Sequence, residues 1–175
     1  IQALLDENVT LRCGEALGRD FTVDSLFRDG FKAVFLALGA HQSRKLEIPG
    51  EDMEGVFASM PFLKAWNLHS TSQARGHVGV IGGGNSAIDA ARVAMRQDGV
   101  ESVTIFYRRS REEMPAFASE IEAALDEGVL LRPLTSPHRI LSDNGRLHAI
   151  ELIENRLGEL DASGRPRPVP KEDSG

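Results

Sequence analysis

Cysteine, aromatic residues and long apolar runs are all scarce in this sequence. The one cysteine, Cys13, cannot close an internal disulfide or supply the thiolates of a metal cluster. We therefore expect a reducing compartment, the cytoplasm. We also expect the Cys13 side chain to be buried as a small apolar residue. No apolar run is long enough to cross a membrane and no secretory leader is apparent, so we expect no membrane insertion.

Positive charge is also in deficit, since 20 lysines and arginines face 26 aspartates and glutamates and the net charge is −6. Because nucleic acids bind basic surfaces, this balance argues against a nucleic-acid partner.

The histidines are scattered without metal-ligand spacing, so we expect no metal site. They are His41, His69, His77, His138 and His148.

A glycine-rich turn stands between a short apolar strand at 78–81 and an amphipathic helix. Its residues are Gly82, Gly83, Gly84, Asn85, Ser86 and Ala87. In the Gly-x-Gly-x-x-Ala pattern of dinucleotide sites, Gly82 permits the tight turn, Gly84 lets a pyrophosphate approach the backbone, and Ala87 lets the helix approach the strand. We expect Asn85 or Ser86 to cap the helix, whose N–H groups would face the phosphates.

The helix after this turn has two distinct faces, and we expect the apolar one to be buried and Gly99 to end the helix. Apolar spacing of three and four falls on Ile88, Ala91, Ala94 and Met95, and the polar side carries Asp89, Arg92, Arg96 and Gln97.

A second strand, from residue 102, ends on Arg108 and Arg109, where an acidic residue would select NAD. A guanidinium can bind a 2′-phosphate through two charge-assisted hydrogen bonds, and Arg111 is near enough in sequence to join the pair. Arginines just after a strand are commonly solvated, so the argument depends on the glycine turn beside them. The pattern favours NADP, with NAD as the alternative.

The acidic stretch 112–127 predicts an amphipathic helix rather than paired catalytic carboxylates. Phe117, Ile121 and Leu125 recur every four residues, so we expect them in the core and the glutamates in water. We expect Gly128 to end this helix and residues 129–132 to form the third parallel strand.

The remainder predicts antiparallel structure. Residues 138–141 and 147–153 flank Asn144-Gly145, the signature of a tight hairpin. Pro166, Pro168 and Pro170 restrict the tail to a loop or an edge strand.

The first 76 residues predict shorter elements. We expect a strand at 9–12, a capped helix at 22–29 ended by Gly30, and a buried strand at 33–38, with some apolar surface left exposed. A turn at Pro49-Gly50 and a short helix at 61–68 follow, with Trp66 as a packing anchor.

Five segments together resemble one known family. Residues 81–92 and 103–116 look like the NADPH-binding half of the glutamate synthase small (β) subunit, and this module is similar to that of dihydropyrimidine dehydrogenase and related iron–sulfur flavoproteins. Residues 33–40 with 48–51 resemble the crossing from the FAD half to the NADPH half, and residues 161–170 resemble a loop late in the second half.

The resemblance implies an α/β fold: a Rossmann-like three-layer dinucleotide-binding domain with a parallel sheet and an antiparallel β-meander, plus a remnant of the FAD domain. Residues 1–40 would be that C-terminal remnant, residues 41–76 an interdomain connector, and residues 77–175 the NADPH-binding domain, truncated before its last strand. An abrupt start at Ile1, without methionine, fits an excised fragment.

The resemblance also implies site residues and cofactors. Residues 83–86 match the pyrophosphate loop, and Arg108 and Arg109 match the 2′-phosphate pair. In the intact protein, hydride would pass from NADPH to FAD, and electrons would continue through iron–sulfur clusters to a separate electron-accepting subunit. We nominate no catalytic side chain, because hydride transfer needs stacked cofactor rings rather than a protein nucleophile. The fragment alone would then be inactive.

Two other classes of protein compete with this hypothesis. A short-chain dehydrogenase would need a Tyr-x-x-x-Lys pair, and the only tyrosine, Tyr107, has arginine four residues later. A non-enzymatic dinucleotide-binding or regulatory module is compatible with the sequence.

Overall fold

Residues 8–39 and 42–172 are described in the computed structural model of the chain. The chain divides into two compact units, Ile1–Ala40 and His41–Gly175. Within the described ranges, the longest helices have 11 residues, and none is long and apolar enough to cross a membrane.

The first unit contains helix α1, Val23–Arg28. Thr22 and Ser25 form a capping box, in which Thr22 Oγ1 accepts from Ser25 N at 3.1 Å and Ser25 Oγ accepts from Thr22 N at 2.9 Å. The predicted helix at 22–29 is therefore confirmed.

The two strands predicted in the first unit are wrong. Residues 9–12 and 33–38 belong to no strand, and Phe35 is 92% exposed. A strand needs a neighbour to satisfy its backbone, and the described part of this unit offers only an isolated bridge between Leu17 and Phe21. The expected exposed apolar surface is confirmed, whereas Cys13 is exposed and its predicted burial is wrong.

The second unit begins with a connecting segment. The predicted turn at Pro49-Gly50 is present, and Gly50 has a φ of +87°. Helix α2, Ser59–His69, contains the predicted 61–68. Phe62 and Leu63 pack on the core, whereas Trp66 is half-buried and is not part of it, so the prediction of Trp66 as the anchor is wrong.

A parallel sheet forms the centre of the second unit. Its strands are β1, Gly76–Ile81, β2, Val100–Phe106, and β3, Leu130–Arg132, in the order β1-β2-β3. Helix α3, Asn85–Met95, connects β1 to β2, and helix α4, Ala118–Asp126, connects β2 to β3. The predicted α/β arrangement and the third parallel strand are confirmed.

The core lies between α3 and the parallel sheet, where Ile88, Ala91, Val103 and Ile105 are buried. Gln97 is also buried, contrary to its predicted polar face, because α3 ends at Met95 rather than near Gly99. Beyond that end, the chain turns Gln97 inward, where its Oε1 accepts hydrogen bonds from the backbone N–H groups of residues 73 and 74.

Helix α4 differs from its prediction at both of its faces. Phe117 is 68% exposed rather than buried, because α4 begins at Ala118 and Phe117 is only its N-cap. Two of the glutamates expected in water, Glu120 and Glu127, pair with Arg92 of α3 at 2.6 and 2.7 Å. The hydrogen bond from Arg92 holds the pKa of Glu127 below its usual value.

An antiparallel sheet, β4-β5-β6, completes this unit. Its strands are β4, Thr135–Asp143, β5, Arg146–Leu160, and β6, Pro166–Pro170. The hairpin is confirmed, with φ of +50° at Asn144 and +78° at Gly145, and so is the edge position of the proline-rich tail. Ile150 of β5 reaches within 3.1 Å of where a Gly79 Cβ would be, on the sheet face opposite α3, which makes three layers.

Candidate nucleotide-binding site

The glycine turn joins β1 to α3 by a backbone path that needs glycine at its first position. Gly82 has a φ of +134°, a conformation that side chains disfavour, and its N–H donates to the Phe106 carbonyl of β2 at 3.0 Å. An added Cβ at Gly82 would lie 3.4 Å from the Ala87 methyl group. The turn and the small residue at position 87 therefore bring α3 close to the strand, as predicted.

Gly83 and Gly84 lack side chains for different reasons. A Cβ at Gly83 would lie 2.6 Å from the ring of Tyr107, so packing inside the protein requires this glycine. At Gly84 the nearest atom would be Pro115 Cγ, at 4.0 Å, and φ is an ordinary −91°. Protein packing does not require glycine there, and the space beside the helix start is open to a ligand.

Gly84 is the N-cap of α3, and neither Asn85 nor Ser86 caps the helix, so that prediction is wrong. Asn85 Oδ1 instead accepts a hydrogen bond from the N–H of Phe117 at 3.0 Å, which directs it away from the first turn. Within the described part of the chain, the N–H groups of Gly84, Asn85 and Ser86 donate no hydrogen bond. Such groups at a helix start are suited to bind an anion.

Residues 107–117, between β2 and α4, form a loop over the glycine turn, and we call it the selection loop. Its end is held to the turn by the Ala116 N–H, which donates to the Gly83 carbonyl at 3.1 Å. All three predicted arginines lie in this loop: Arg108, Arg109 and Arg111.

The three arginines have different surroundings. Arg108 is exposed, and among the described residues its guanidinium has no hydrogen-bond or ion-pair partner. Arg109 is 4% exposed; its Nη2 lies 2.7 Å from Asp161 Oδ2, and its Nε donates to the Pro166 carbonyl at 2.7 Å. Arg111 is exposed and pairs with Glu122 of α4. Arg108 is thus the one with a guanidinium that is both exposed and unpaired.

Three polar residues near the selection loop were missing from the sequence prediction: Asn155, Asp161 and Arg165. Asn155 is buried and donates to the Arg108 carbonyl at 3.2 Å, and Arg165 Nη2 donates to the Tyr107 hydroxyl at 2.7 Å. Asp-x-Ser-Gly at 161–164 is a recognisable turn, but no local pattern indicates that it reaches the end of β2.

Asp161 is a strongly ionised group at this site. One carboxylate oxygen accepts from the hydroxyl and N–H of Ser163, and the other pairs with Arg109. The hydrogen bonds from Ser163, aided by the Arg165 N–H and the Arg109 charge, lower the pKa of Asp161 to about 2. Asp161 is therefore an anion at neutral pH, and it neutralises the buried arginine.

The parallel sheet, the glycine turn and α3 define a Rossmann-like α/β domain. The chain belongs to the pyridine nucleotide-disulphide oxidoreductase family, whose pattern matches residues 3–164.

Comparison with known proteins supports the same assignment. The chain is 40% identical over 173 residues to NADP(+)-dependent formate dehydrogenase subunit beta of Moorella thermoacetica, covering 97% of this chain and 24% of that protein. It is 34% identical over 175 residues to the glutamate synthase [NADPH] small chain of Escherichia coli, covering 91% of this chain and 36% of that protein. The chain thus spans between 24% and 36% of these curated relatives.

A solved structure has the same fold. FprA of Mycobacterium tuberculosis, in complex with NADPH, superposes with a TM-score of 0.64 at 25% identity, covering 78% of this chain and 46% of that chain.

Proposed function

We propose that this chain is the NADPH-binding part of a flavin-dependent oxidoreductase of the glutamate synthase small-subunit type. One observation carries the proposal, and it combines two features. The space at Gly84 is open and lies beside backbone N–H groups that have no acceptor among the described residues. The adjoining selection loop carries the Arg108 guanidinium, which is exposed and has no partner among the described residues. A pyrophosphate fits the first feature and a 2′-phosphate fits the second.

Each predicted site residue has its own part in this proposal. Gly82 and Gly83 shape the turn, whereas the backbone N–H groups of Gly84, Asn85 and Ser86 bind the pyrophosphate. Arg108 binds the 2′-phosphate, and Arg111 assists from its exposed position. Arg109 supports the loop from within, because its buried guanidinium is already bonded to Asp161 and Pro166.

The proposed domain organisation follows the family. Residues 1–40 are the C-terminal part of an FAD-binding domain, residues 41–76 are a connector, and residues 77–175 bind NADPH. A division of the chain after Ala40 is compatible with this arrangement. A cytoplasmic location fits the single cysteine.

NADPH would supply a hydride to FAD, and electrons would continue through iron–sulfur clusters to an accepting subunit. In the described ranges, which leave out His41, no cluster of His, Cys, Asp and Glu side chains could hold a metal ion. Because an iron–sulfur cluster is held by several cysteine thiolates and this chain has one cysteine, we place the proposed clusters outside this chain. This chain's own task is to bind and orient the nucleotide, and we assign no catalytic side chain.

Calorimetric titration with NADPH and NADH at low salt tests the proposal. We expect the native protein to prefer NADPH, and Arg108→Ala to lose about 1.5–3 kcal/mol of NADPH binding per charge-assisted bond while NADH binding stays nearly unchanged. Arg167→Ala is a matched control, because Arg167 is exposed on β6 and has no partner within the described ranges. Equal losses for both nucleotides in Arg108→Ala would refute the 2′-phosphate assignment, and absence of binding by the native protein would refute the proposed function.

A further inference from the structure

Three consecutive residues at the end of β2 are each held by a polar side chain from β5 or from the turn after it. The contacts are Tyr107 hydroxyl to Arg165 at 2.7 Å, Arg108 carbonyl to Asn155 at 3.2 Å, and Arg109 guanidinium to Asp161 at 2.7 Å.

Arg165 makes the most extensive of these contacts. Its Nη2 donates both to the Tyr107 hydroxyl and to the Glu113 carbonyl, and that hydroxyl donates to the same carbonyl at 2.7 Å. The guanidinium therefore ties residue 107 to residue 113 and closes the part of the selection loop that carries Arg108. Both contacts are made by one terminal nitrogen, Nη2, whose two N–H groups have fixed directions in the guanidinium plane, whereas a lysine ammonium is carried on a shorter and more flexible stem.

The same contact extends to the glycine turn. The Tyr107 ring packs on Gly83 so closely that a Cβ there would lie 2.6 Å from it, and its hydroxyl is the group that Arg165 binds. One residue of the β5–β6 turn is thus connected, through a single ring, to the backbone that faces the pyrophosphate.

We propose that Arg165 is a positioning residue for nucleotide selection. It fixes the selection loop in the form that presents the Arg108 guanidinium to the 2′-phosphate, and it does so without binding the nucleotide itself. The inference rests on the proposed function, since it explains how the NADPH preference of that site is produced. It gives the turn between β5 and β6 of the antiparallel sheet a role in specificity, although the glycine turn itself joins β1 of the parallel sheet to α3.

The charge of Arg165 could raise the affinity for any phosphate, and this electrostatic effect is separable from positioning. Arg165→Lys keeps the charge but loses the reach and the fixed N–H directions of Nη2, and Arg165→Ala loses the charge as well. The side chain is 35% exposed, so neither change opens a cavity in the core. Arg167→Ala removes an equal charge two residues away on β6 and serves as the matched control.

The experiment measures the dissociation constants of NADPH and NADH for the native protein and these variants, with a thermal melt of each. We expect Arg165→Ala and Arg165→Lys to reduce the ratio of NADPH to NADH affinity by about tenfold or more, with NADH affinity changing by less than about threefold. Tyr107→Phe should also lower the ratio of NADPH to NADH affinity. Combining it with Arg165→Ala should lower the ratio little further, because both changes remove the same hydrogen bond between Arg165 and the Tyr107 hydroxyl.

Several results would overturn the inference. An unchanged ratio of NADPH to NADH affinity in Arg165→Lys would mean that the charge of residue 165 alone is needed. Equal loss of affinity for both nucleotides would mean that Arg165 has a purely structural role. A native ratio in Arg165→Ala, with the ratio lost in Arg108→Ala, would refute positioning and leave the proposed function intact. If Arg165→Ala does not fold, Arg165→Lys and Tyr107→Phe decide the question by the same ratio. No preference in the native protein would instead refute the proposed function.

Discussion

Arg109, which is buried, and Asp161, which is partly exposed, form an ion pair with Nη2 and Oδ2 2.7 Å apart, although 52 residues separate them in the chain. The pair connects the end of β2 to the turn between β5 and β6. Because Arg109 is 4% exposed, its charge depends on Asp161 for compensation. An arginine that sequence patterning assigns to a ligand is thus used inside the protein, whereas the guanidinium of its neighbour Arg108 is exposed and has no partner among the described residues.

Replacing Asp161 by Asn should lower the melting temperature at neutral pH, because it weakens the hydrogen bonds that the carboxylate accepts from Ser163 and leaves the buried Arg109 guanidinium without a counter-charge. The folded pKa of Asp161, about 2, lies below the unfolded value of about 3.9. The stabilisation is therefore present above the unfolded pKa and is lost as pH falls through the folded one. Thermal melts at a series of pH values should show that the difference in melting temperature between the native protein and the variant narrows toward about pH 2. A difference in melting temperature that stays constant with pH would contradict stabilisation by the ionised Asp161 carboxylate.

Two adjacent glycines should respond to substitution in opposite ways. Gly83→Ala should destabilise the protein by about 1–3 kcal/mol, because the new methyl group overlaps the Tyr107 ring. Gly84→Asn should fold normally, since asparagine is a good N-cap and the space is open, but its side chain should occupy the pyrophosphate position. Urea denaturation and nucleotide titration distinguish these effects.

For Gly84→Asn we expect NADPH and NADH to lose about tenfold or more in affinity alike, because both carry the pyrophosphate. Unchanged affinity would place the nucleotide elsewhere. Loss of stability comparable to that of Gly83→Ala would show that the space at Gly84 is needed by the protein itself.

Gln97 should be important for stability rather than for binding. Its Oε1 accepts from the N–H groups of Gln73 and Ala74, both at 2.8 Å, just before β1. Gln97→Met should cost about 1–3 kcal/mol in the free energy of unfolding, because it leaves these donors unpaired. Asp98→Ala, at the exposed next position, is the control and should be nearly neutral. A neutral Gln97→Met would show that water replaces the lost acceptor.

Sequence patterning predicted the elements whose cause is local. The positive φ of Gly82, the Asn144-Gly145 hairpin and the edge position of the prolines follow from the conformations these residues allow. Helix α1, predicted as a short capped helix ended by Gly30, also has a local cause, because its capping contacts join residues three positions apart.

Predictions failed where burial or pairing depended on residues far along the chain. Residues 33–38 are apolar enough for a strand, yet a strand exists only where a neighbour accepts its hydrogen bonds. Periodicity placed Phe117 in the core, but the Asn85 side chain holds its backbone at the start of α4 and leaves the ring exposed.

A glycine turn between a parallel strand and a helix, with arginines after the next strand, can be predicted from the amino-acid sequence, because those features depend on short spacings. Which of these arginines lacks a partner among the described residues depends on the tertiary structure. Arg108 and Arg109 are neighbours with the same side chain, and the difference between them is the Asp161 carboxylate, which the β5–β6 turn brings to one guanidinium and not to the other. A contact across 52 residues has no local signature, so its effect on the site becomes visible only in the folded chain.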